Sequence, residues 1–168
     1  YIISTSEVPL VIDADALNTV SRDVSVFRKL KAKAVITPHP GEMSRLAGIS
    51  IEDVQKNRIE AARDFAREWN VITVLKGSRT VVAGPDGTVY INTTGNPGMA
   101  TAGAGDVLTG IIAALIGQGV KPLDAATAGV YIHGLAGDIA ASEIGEISLV
   151  AGDIANYLPN AFKGLQEG

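Results

Sequence analysis

The stretch Pro9-Leu10-Val11-Ile12-Asp13-Ala14-Asp15 indicates the fold class of this chain. Its apolar residues form a short unbroken run that ends in polar turn residues, which is typical of a strand buried on both faces of a parallel sheet. Ala34-Val35-Ile36-Thr37 and Val71-Ile72-Thr73-Val74-Leu75 have the same character. The sequence therefore predicts three core strands in a largely parallel sheet.

The residues between these strands favour helices. We predict a basic amphipathic helix over Ser21–Lys31 and a short helix over Glu42–Ala47. Ser50 and Asp53 have the spacing of an N-cap signature, and the helix that they open carries Trp69 on its apolar stripe, where we expect it in the core. Helices that alternate with buried strands indicate an α/β domain.

The second half of the chain predicts a β-hairpin followed by helices. Thr80–Ala83 and Thr88–Asn92 flank Pro85-Asp86-Gly87, which is a turn signal. The helices are expected over Ala104–Ile116, Pro122–Ser142 and Ser148–Leu165. Pro159 is expected to end or kink the last one. The whole order predicts three layers, with helices on both sides of a mostly parallel central sheet.

Composition and charge exclude several classes of protein. The 168 residues carry 14 basic and 18 acidic side chains, and 46% of them are hydrophobic, which excludes intrinsic disorder and disfavours general nucleic-acid binding. There is no cysteine and there are two histidines, so disulfides, thiolate sites and a three-histidine zinc site are excluded. No apolar run reaches the roughly 18 residues of a membrane span, and no secretory signal is visible. We therefore expect a cytoplasmic protein that binds neither nucleic acid nor membrane.

The segment Thr101-Ala102-Gly103-Ala104-Gly105-Asp106-Val107-Leu108-Thr109-Gly110 is the strongest chemical signal. Two glycines precede an apolar helix, and the first amides of a helix point outward at the positive end of its dipole. Such a turn binds a phosphate or a developing anion. Asp106 lies in the same turn, where a carboxylate is either a helix cap or a general base beside the phosphate, and helix-start statistics favour the cap.

Other polar residues follow the predicted strands, at the sheet edge where open parallel sheets bind ligands. His39, between two prolines, is either a loop histidine satisfied by the backbone or a stacking and hydrogen-bonding residue. Glu42 suits a helix N-terminus. Lys76–Thr80 is a polar loop with amides, hydroxyls and two cations, and Asp13 and Asp15 are either turn formers or residues that order magnesium or the substrate pocket.

Two further positions have an expected structural role. His133 lies in a segment rich in alanine and glycine, and we expect it to be packed inside a helix rather than to bind a ligand. Asn96 and the residues that follow it are expected to shape the loop before the anion-binding turn.

Four motifs occur in one order along the chain: Val11–Asn18, Thr37–Met43, Leu75–Thr80 and Asn96–Asp106. Gly103-Ala104-Gly105-Asp106 resembles the Gly-Ala-Gly-Asp motif of the ribokinase-like superfamily. The four motifs together resemble the ADP-dependent (S)-NAD(P)H-hydrate dehydratase family, whose domain is the C-terminal one in bifunctional repair proteins. This resemblance extends over nearly the whole chain and implies a three-layer ribokinase-like fold.

The resemblance implies a role for individual residues. Asp106 would accept the proton of the substrate hydroxyl, and the amides of Ala102, Gly103, Ala104 and Gly105 would form an anion hole. His39 and Asp106 would contact the hydrated nicotinamide, and Glu42 would help to hold Mg²⁺ through water. The implied nucleotide-binding residues are Lys76, Gly77, Ser78, Arg79, Thr80 and Gly105.

The implied reaction dehydrates (S)-NADHX or (S)-NADPHX to NADH or NADPH. Hydroxide is a poor leaving group, so the ring hydroxyl would first receive a phosphoryl group from ADP, or from ATP, in the presence of Mg²⁺. Implied partners are copies of the same chain in a homo-oligomer and a fused or separate epimerase of the hydrates. Two alternatives stay open: a thiazole, hydroxymethylpyrimidine or sugar kinase of the same superfamily, and a non-catalytic nucleotide-binding domain.

The start of the chain carries an expectation of its own. The sequence begins with Tyr1 rather than methionine, just before a strand expected to be central, and nothing matches the glycine-rich N-terminal part of the family's domain. We therefore expect residues 1–168 to form the C-terminal part of a single dehydratase domain. Expressed alone, this segment is expected to be poorly stable and inactive, because a parallel sheet needs cover on both faces.

Overall fold

A five-stranded sheet in the order β1-β2-β3-β4-β5 forms the centre of the computed structural model, which describes residues 1–167. The strands are β1 Leu10–Ile12, β2 Ala34–Ile36, β3 Ile72–Leu75, β4 Val81–Ala83 and β5 Val89–Ile91. The first three are parallel, and β4 and β5 are antiparallel to their neighbours. The predicted core strands, the hairpin and the mostly parallel sheet are confirmed.

Helices cover both faces of this sheet. The helices are α1 Ile2–Thr5, α2 Ala14–Val20, α3 Pro40–Ala47, α4 Ile51–Lys56, α5 Arg58–Trp69, α6 Ala104–Gly117, α7 Pro122–Ile144, α8 Ala151–Asn156 and α9 Leu158–Glu167. Alternation along β2 sends Ile36 to the face covered by α5 and Val35 to the face covered by α6 and α7. The three-layer α/β architecture is therefore confirmed.

One helix predicted near the start of the chain is wrong. Ser21–Lys31 does not form an α-helix: it contains a 3₁₀ helix over Val24–Lys29, which begins where the Asp23 carboxylate accepts the Ser25 N–H. An α-helix lies earlier instead: α2 follows β1 directly and includes Asp15, for which one expectation was a turn. The side chain of Asp13 caps the start of α2 by accepting the Ala14 N–H, and Leu17 is buried on the inner face of this helix.

Two other predicted helices are each divided in two. The helix expected from Ser50 to Trp69 breaks at Asn57, whose φ of −126° and ψ of 48° are not helical. The helix expected over Ser148–Leu165 consists of α8 and α9. Pro159 therefore lies in the first turn of α9, where a missing N–H leaves no hydrogen bond unmade.

Glycines in α7 let the chain pack unusually close to this helix. A methyl group at Gly134 would overlap the side chain and backbone of Thr94, and one at Gly137 would overlap Met99. Another 3₁₀ helix, Pro97–Met99, precedes the glycine-rich turn. The segment between β5 and α6 is therefore seated on α7, and the glycines determine how closely it approaches.

His133 connects α7 to the start of α6. Its Nε2 lies 2.9 Å from the carbonyl oxygen of Ala104. Because a carbonyl cannot donate, Nε2 carries the hydrogen. Burial lowers the pKa of His133 from 6.5 to about 4, and the bond to Ala104 offsets only part of that effect. The expected packing of His133 within a helix is confirmed, and the ring is neutral near neutral pH.

Trp69 lies at the edge of the core rather than inside it. It is partly exposed, packs against Phe65 with ring centroids 6.3 Å apart, and carries the Arg28 guanidinium 4.9 Å from its ring centroid.

A separate observation concerns membranes: among residues 1–167, no helix combines the length and apolar character needed to cross a bilayer.

Replacing Gly134 by alanine is expected to destabilise the fold. Alanine is the better helix former by about 1 kcal/mol, so a loss must come from the overlap with Thr94. We expect the free energy of unfolding in urea to fall by about 1–3 kcal/mol. The matched control is Gly110→Ala in α6, where an added methyl meets nothing within 4 Å. If both variants are equally stable, Thr94 does not lie as close to Gly134 as described.

His133 is expected to make stability fall as the solution is acidified. Its pKa is lower in the folded state, so the unfolded chain takes up a proton first as the pH falls below 6.5, and stability decreases until the pH approaches about 4. Between about pH 7 and about pH 5, wild type should lose up to about 2 kcal/mol more than His133→Gln, which keeps an N–H donor and does not titrate. Urea unfolding at the two pH values measures the difference, and equal losses would contradict the assignment.

Candidate active site

A cavity of about 720 Å³ opens at the carboxyl edge of the parallel strands. Its wall includes His39, the loop Lys76–Thr80, the segment Asn92–Pro97, and Ala104 and Gly105 at the start of α6. The remaining wall residues are Pro40, Met99, Ala100, Thr101, Leu108, Val130, His133 and Gly134. The structure thus brings together candidate residues from three separate sequence motifs. Ala102, Gly103, Asp106 and Glu42 do not line this cavity.

Lys76 is the charged centre of this edge. Its Nζ lies 2.7 Å from Asp13 Oδ1 and 3.8 Å from Glu42 Oε2. The side chains of Asp13 and Lys76 are only 10% and 19% exposed. The Lys76 backbone N–H donates to the carbonyl of Pro38 at 2.8 Å, so the residue that follows β3 is joined to the residues that follow β2. The ammonium is therefore held in a defined place.

Asp13 holds Lys76 rather than facing the cavity. Burial alone raises the pKa of the Asp13 carboxyl, but the hydrogen bonds from Lys76 and Thr109, with the Lys76 charge and the Ala14 N–H, lower it below its ordinary value of 3.8. The Thr109 hydroxyl donates to Oδ2 at 2.8 Å. Asp13 is therefore ionised at neutral pH. Asp15, in contrast, is exposed in the first turn of α2, away from the cavity wall.

The first turn of α6 offers free backbone donors. Gly103 begins the helix with φ of 86°, a conformation that favours glycine. The Ala104 N–H donates to the Thr101 carbonyl at 3.3 Å, whereas no described residue accepts from the N–H of Ala102, Gly103 or Gly105. A methyl group on Gly105 would lie 3.4 Å from Lys76 Nζ. The ammonium and the positive end of the helix therefore meet at one point, which attracts anions.

Asp106 lies in this first turn with an exposed side chain. Within residues 1–167 its carboxylate accepts no hydrogen bond, so it does not cap the helix through one. Of the two roles considered from the sequence, the side-chain cap is therefore not formed. The carboxylate is free to accept a proton from a ligand beside Gly105.

His39 caps α3 and also faces the cavity. Its Nδ1 accepts the N–H groups of Gly41 and Glu42 at 2.9 and 3.3 Å, and Glu42 Oε2 accepts the His39 N–H at 2.8 Å. This reciprocal arrangement is a capping box. The side chain of His39 is 52% exposed, and its Nε2 lies 3.6 Å from Glu42 Oε1. The backbone partners of the ring are amides rather than the carbonyl considered from the sequence.

The residues at this edge suit only a cation that brings ligands of its own. Glu42 is buried, and its Oε2 is shared between the His39 N–H and Lys76. Among the described residues, no group of three or more histidine and carboxylate side chains is gathered as a metal site. A Mg²⁺ ion here would therefore take most of its ligands from water and phosphate, as Mg²⁺ usually does.

Sequence reasoning missed two residues that shape the site. Asn92 donates from Nδ2 to the carbonyls of Thr94 and Val130 at 3.0 and 3.2 Å and so ties the end of β5 to α7. Thr109 supports Asp13 from the second turn of α6. No local pattern indicates either role, although Thr109 falls three residues after Asp106, on the same side of the helix.

Comparison with known proteins follows the same motifs. The family model described as NAD(P)H-hydrate dehydratase matches residues 2–160. A bifunctional NAD(P)H-hydrate repair enzyme of Moorella thermoacetica is 55% identical over 161 residues, which cover 96% of this chain and 30% of that protein. An ADP-dependent (S)-NAD(P)H-hydrate dehydratase of Neisseria meningitidis is 44% identical, over 88% of this chain and 51% of that protein.

A solved structure shares the fold. The ADP/ATP-dependent NAD(P)H-hydrate dehydratase of Bacillus subtilis, co-crystallised with ATP and Mg²⁺, superposes with a TM-score of 0.88 at 35% identity. The match covers 96% of this chain and 58% of that one. The chain thus spans between about a third and rather more than half of the length of these relatives. The motifs, the fold and the family model agree, and the chain belongs to the NAD(P)H-hydrate dehydratase family.

Proposed function

We propose that the protein carrying this chain dehydrates (S)-NADHX or (S)-NADPHX to NADH or NADPH, and that it converts ADP to AMP and phosphate in doing so. The observation that carries the proposal is the single cavity that joins His39, the loop Lys76–Thr80 and the start of α6. Its volume of about 720 Å³ lies in the usual range of sites for ligands of nucleotide size. ATP as an alternative donor and Mg²⁺ as the accompanying cation belong to the same proposal.

The phosphate end of the nucleotide is assigned to the point where Lys76 and Gly105 meet. The ammonium is fixed by Asp13, and the free amides of Gly103 and Gly105 add the positive end of α6. Donors held in place before the reaction stabilise the charge of a transferring phosphoryl group without reorganising. In this proposal Gly77, Ser78, Arg79 and Thr80 hold the AMP part.

The chemical step is assigned to Asp106. Its carboxylate accepts the proton of the ring hydroxyl while that oxygen attacks the terminal phosphorus of ADP, and AMP leaves with the bonding electrons. Phosphate then leaves the ring carbon with the C–O electron pair, and loss of a proton from the neighbouring carbon restores the ring double bond. His39 is assigned to the nicotinamide at the rim.

Glu42 is the residue of this chain that would contact the hydration shell of Mg²⁺, and the ion would supply positive charge near the phosphates. The homo-oligomer, the fused or separate epimerase and the cytoplasmic location are part of the same proposal. Relatives described as bifunctional repair enzymes support the fused arrangement. Residues 1–168 are proposed to be the C-terminal part of one dehydratase domain.

The proposal is tested by supplying NADHX with ADP, and separately with ATP, to the protein expressed from its full reading frame. Recovery of NADH absorbance together with an equal amount of AMP from ADP, or of ADP from ATP, supports it. A stable phosphorylated alcohol without NADH would show a small-molecule kinase instead. ADP binding without any turnover would show a nucleotide-binding domain.

Asp106→Asn is expected to abolish most of the dehydration. The amide is nearly isosteric but cannot accept the proton, and general bases contribute about 100- to 10,000-fold. The fold should be intact, because the carboxylate makes no hydrogen bond among the described residues. The kcat for NADHX and the melting temperature are the measurements. A variant that keeps more than about a tenth of wild-type kcat would show that Asp106 is not the base.

Asp13→Asn is expected to destabilise the protein and weaken ADP binding, because it leaves the Lys76 ammonium without its main partner. Breaking a largely buried ion pair on one side lowers the free energy of unfolding by about 3–5 kcal/mol. Asp15→Asn, on the exposed side of the same turn, should lose less than about 1 kcal/mol.

Because Asp13 and Lys76 form one ion pair, the losses of stability caused by Asp13→Asn and by Lys76→Met are expected to be non-additive. Asp13→Asn combined with Lys76→Met should be more stable than the sum of the single losses predicts, because neither member of the pair is left charged without the other. Urea unfolding of all four proteins gives the coupling free energy. A coupling near zero would show that Asp13 does not hold Lys76.

A further inference from the structure

Arg58 at the start of α5 lies beneath the loop that follows β3. Its Nη2 donates to the carbonyl of Leu75 at 3.0 Å and to the carbonyl of Lys76 at 3.3 Å. Its guanidinium also lies against Gly77, where an added methyl group would come within 3.0 Å of Nη1. Arg58 is half-buried and does not line the cavity. It therefore acts on the loop from the side opposite to a ligand.

The two hydrogen bonds determine which way the loop amides face. In a trans peptide the carbonyl and the next N–H point in opposite directions, and none of the described peptides is cis. The Leu75 carbonyl faces Arg58, and the Lys76 N–H accordingly points away and donates to Pro38 at 2.8 Å. The Lys76 carbonyl also faces Arg58, so the Gly77 N–H points away from the guanidinium.

The loop contains donors that the described protein does not use. No described residue accepts from the backbone N–H of Gly77, Ser78 or Arg79. All three residues line the cavity. Gly77 has φ of 144° and Arg79 has φ of 54°, so the backbone is held in conformations that need support from outside the loop. Consecutive free amides of this kind form a concave anion site.

We propose that Arg58 is a positioning residue for the nucleotide: by holding the Leu75 and Lys76 carbonyls, it turns the free Gly77 amide toward the phosphate of the bound nucleotide. Both of these hydrogen bonds come from Nη2, while Nη1 of the same guanidinium donates to Gln55 Oε1 at 3.3 Å and so helps to orient the group. Its charge also adds positive potential beneath the loop. The inference rests on the proposed function to the extent that the anion is a phosphate of ADP.

The test is ADP binding, measured by calorimetry on the protein expressed from its full reading frame. Arg58→Met should weaken ADP binding by about 10- to 100-fold, the loss that follows from removing charge-assisted hydrogen bonds. The matched control is Arg63→Met on the same helix, where the arginine pairs with Glu60 and Asp64 at the surface. That variant should bind ADP as wild type does.

A split between kinetic constants separates positioning from general destabilisation. Arg58 does not touch reacting atoms, so Arg58→Met should raise the KM for ADP with little change in kcat or in the KM for NADHX. Arg58→Lys keeps the charge but loses the second nitrogen, which is anchored on Gln55, and it should recover only part of the affinity for ADP. If Arg58→Met does not fold, Arg58→Lys carries the test, with an expected loss of at least about 3-fold.

The outcomes decide between the two proposals. A folded Arg58→Met protein that binds ADP within a factor of about two of wild type overturns the inference, and so does an equal loss in Arg63→Met. Wild type that binds ADP without dehydrating NADHX refutes the proposed activity and leaves the role of Arg58 to be judged on binding. Wild type that binds no ADP overturns both.

Discussion

The ion pair between Asp13 and Lys76 joins the ends of two strands that do not touch. β2 lies between β1 and β3, so the contact of 2.7 Å between Oδ1 and Nζ crosses the middle of the parallel part of the sheet. Both side chains are largely shielded from water, and each charge would be expensive to bury without the other. Because the pair fixes the ammonium beside Gly105, the loop after β3 and the first turn of α6 meet at one positively charged point. The anion site therefore depends on the order of the strands.

Local sequence patterns were sufficient for most of the sheet and insufficient for the helices between the strands. The runs that form β2 and β3 are apolar and bounded by turn residues, so they have few alternatives to a buried strand. Ser21–Lys31 also has a helical pattern, but the α-helix of this region, α2, begins directly after Asp13 and ends at Val20. What remains before β2 is a 3₁₀ helix over Val24–Lys29. The sequence pattern therefore predicted that this part of the chain is helical, but not which residues form the α-helix.

The candidate site also has parts that could be predicted from the sequence and parts that could not. The glycines before α6 and the cationic loop after β3 can be recognised from a few consecutive residues. The partners that hold them cannot, because Asp13 and Lys76 are 63 residues apart and Arg58 reaches the loop from another helix. His39 shows a different limit: its ring is satisfied by backbone amides at the start of α3 rather than by a carbonyl, and the residue also lines the cavity. The sequence shows which hydrogen-bonding groups are present, whereas the fold determines which of them bond within the protein and which remain available to a ligand.

The loop Lys76–Thr80, which joins the antiparallel strands β3 and β4, has a consequence for how this family can vary. Leu75 pairs with Val81 across β3 and β4, so the loop is closed at both ends by one register. Because side chains alternate between faces, an insertion that slipped β4 by one residue would turn Val82 toward the opposite layer. All three residues of β4 are buried, so neither layer could accept the exchange easily. The length of the loop is therefore constrained by the sheet, and natural variation is expected in the identity of its residues rather than in their number.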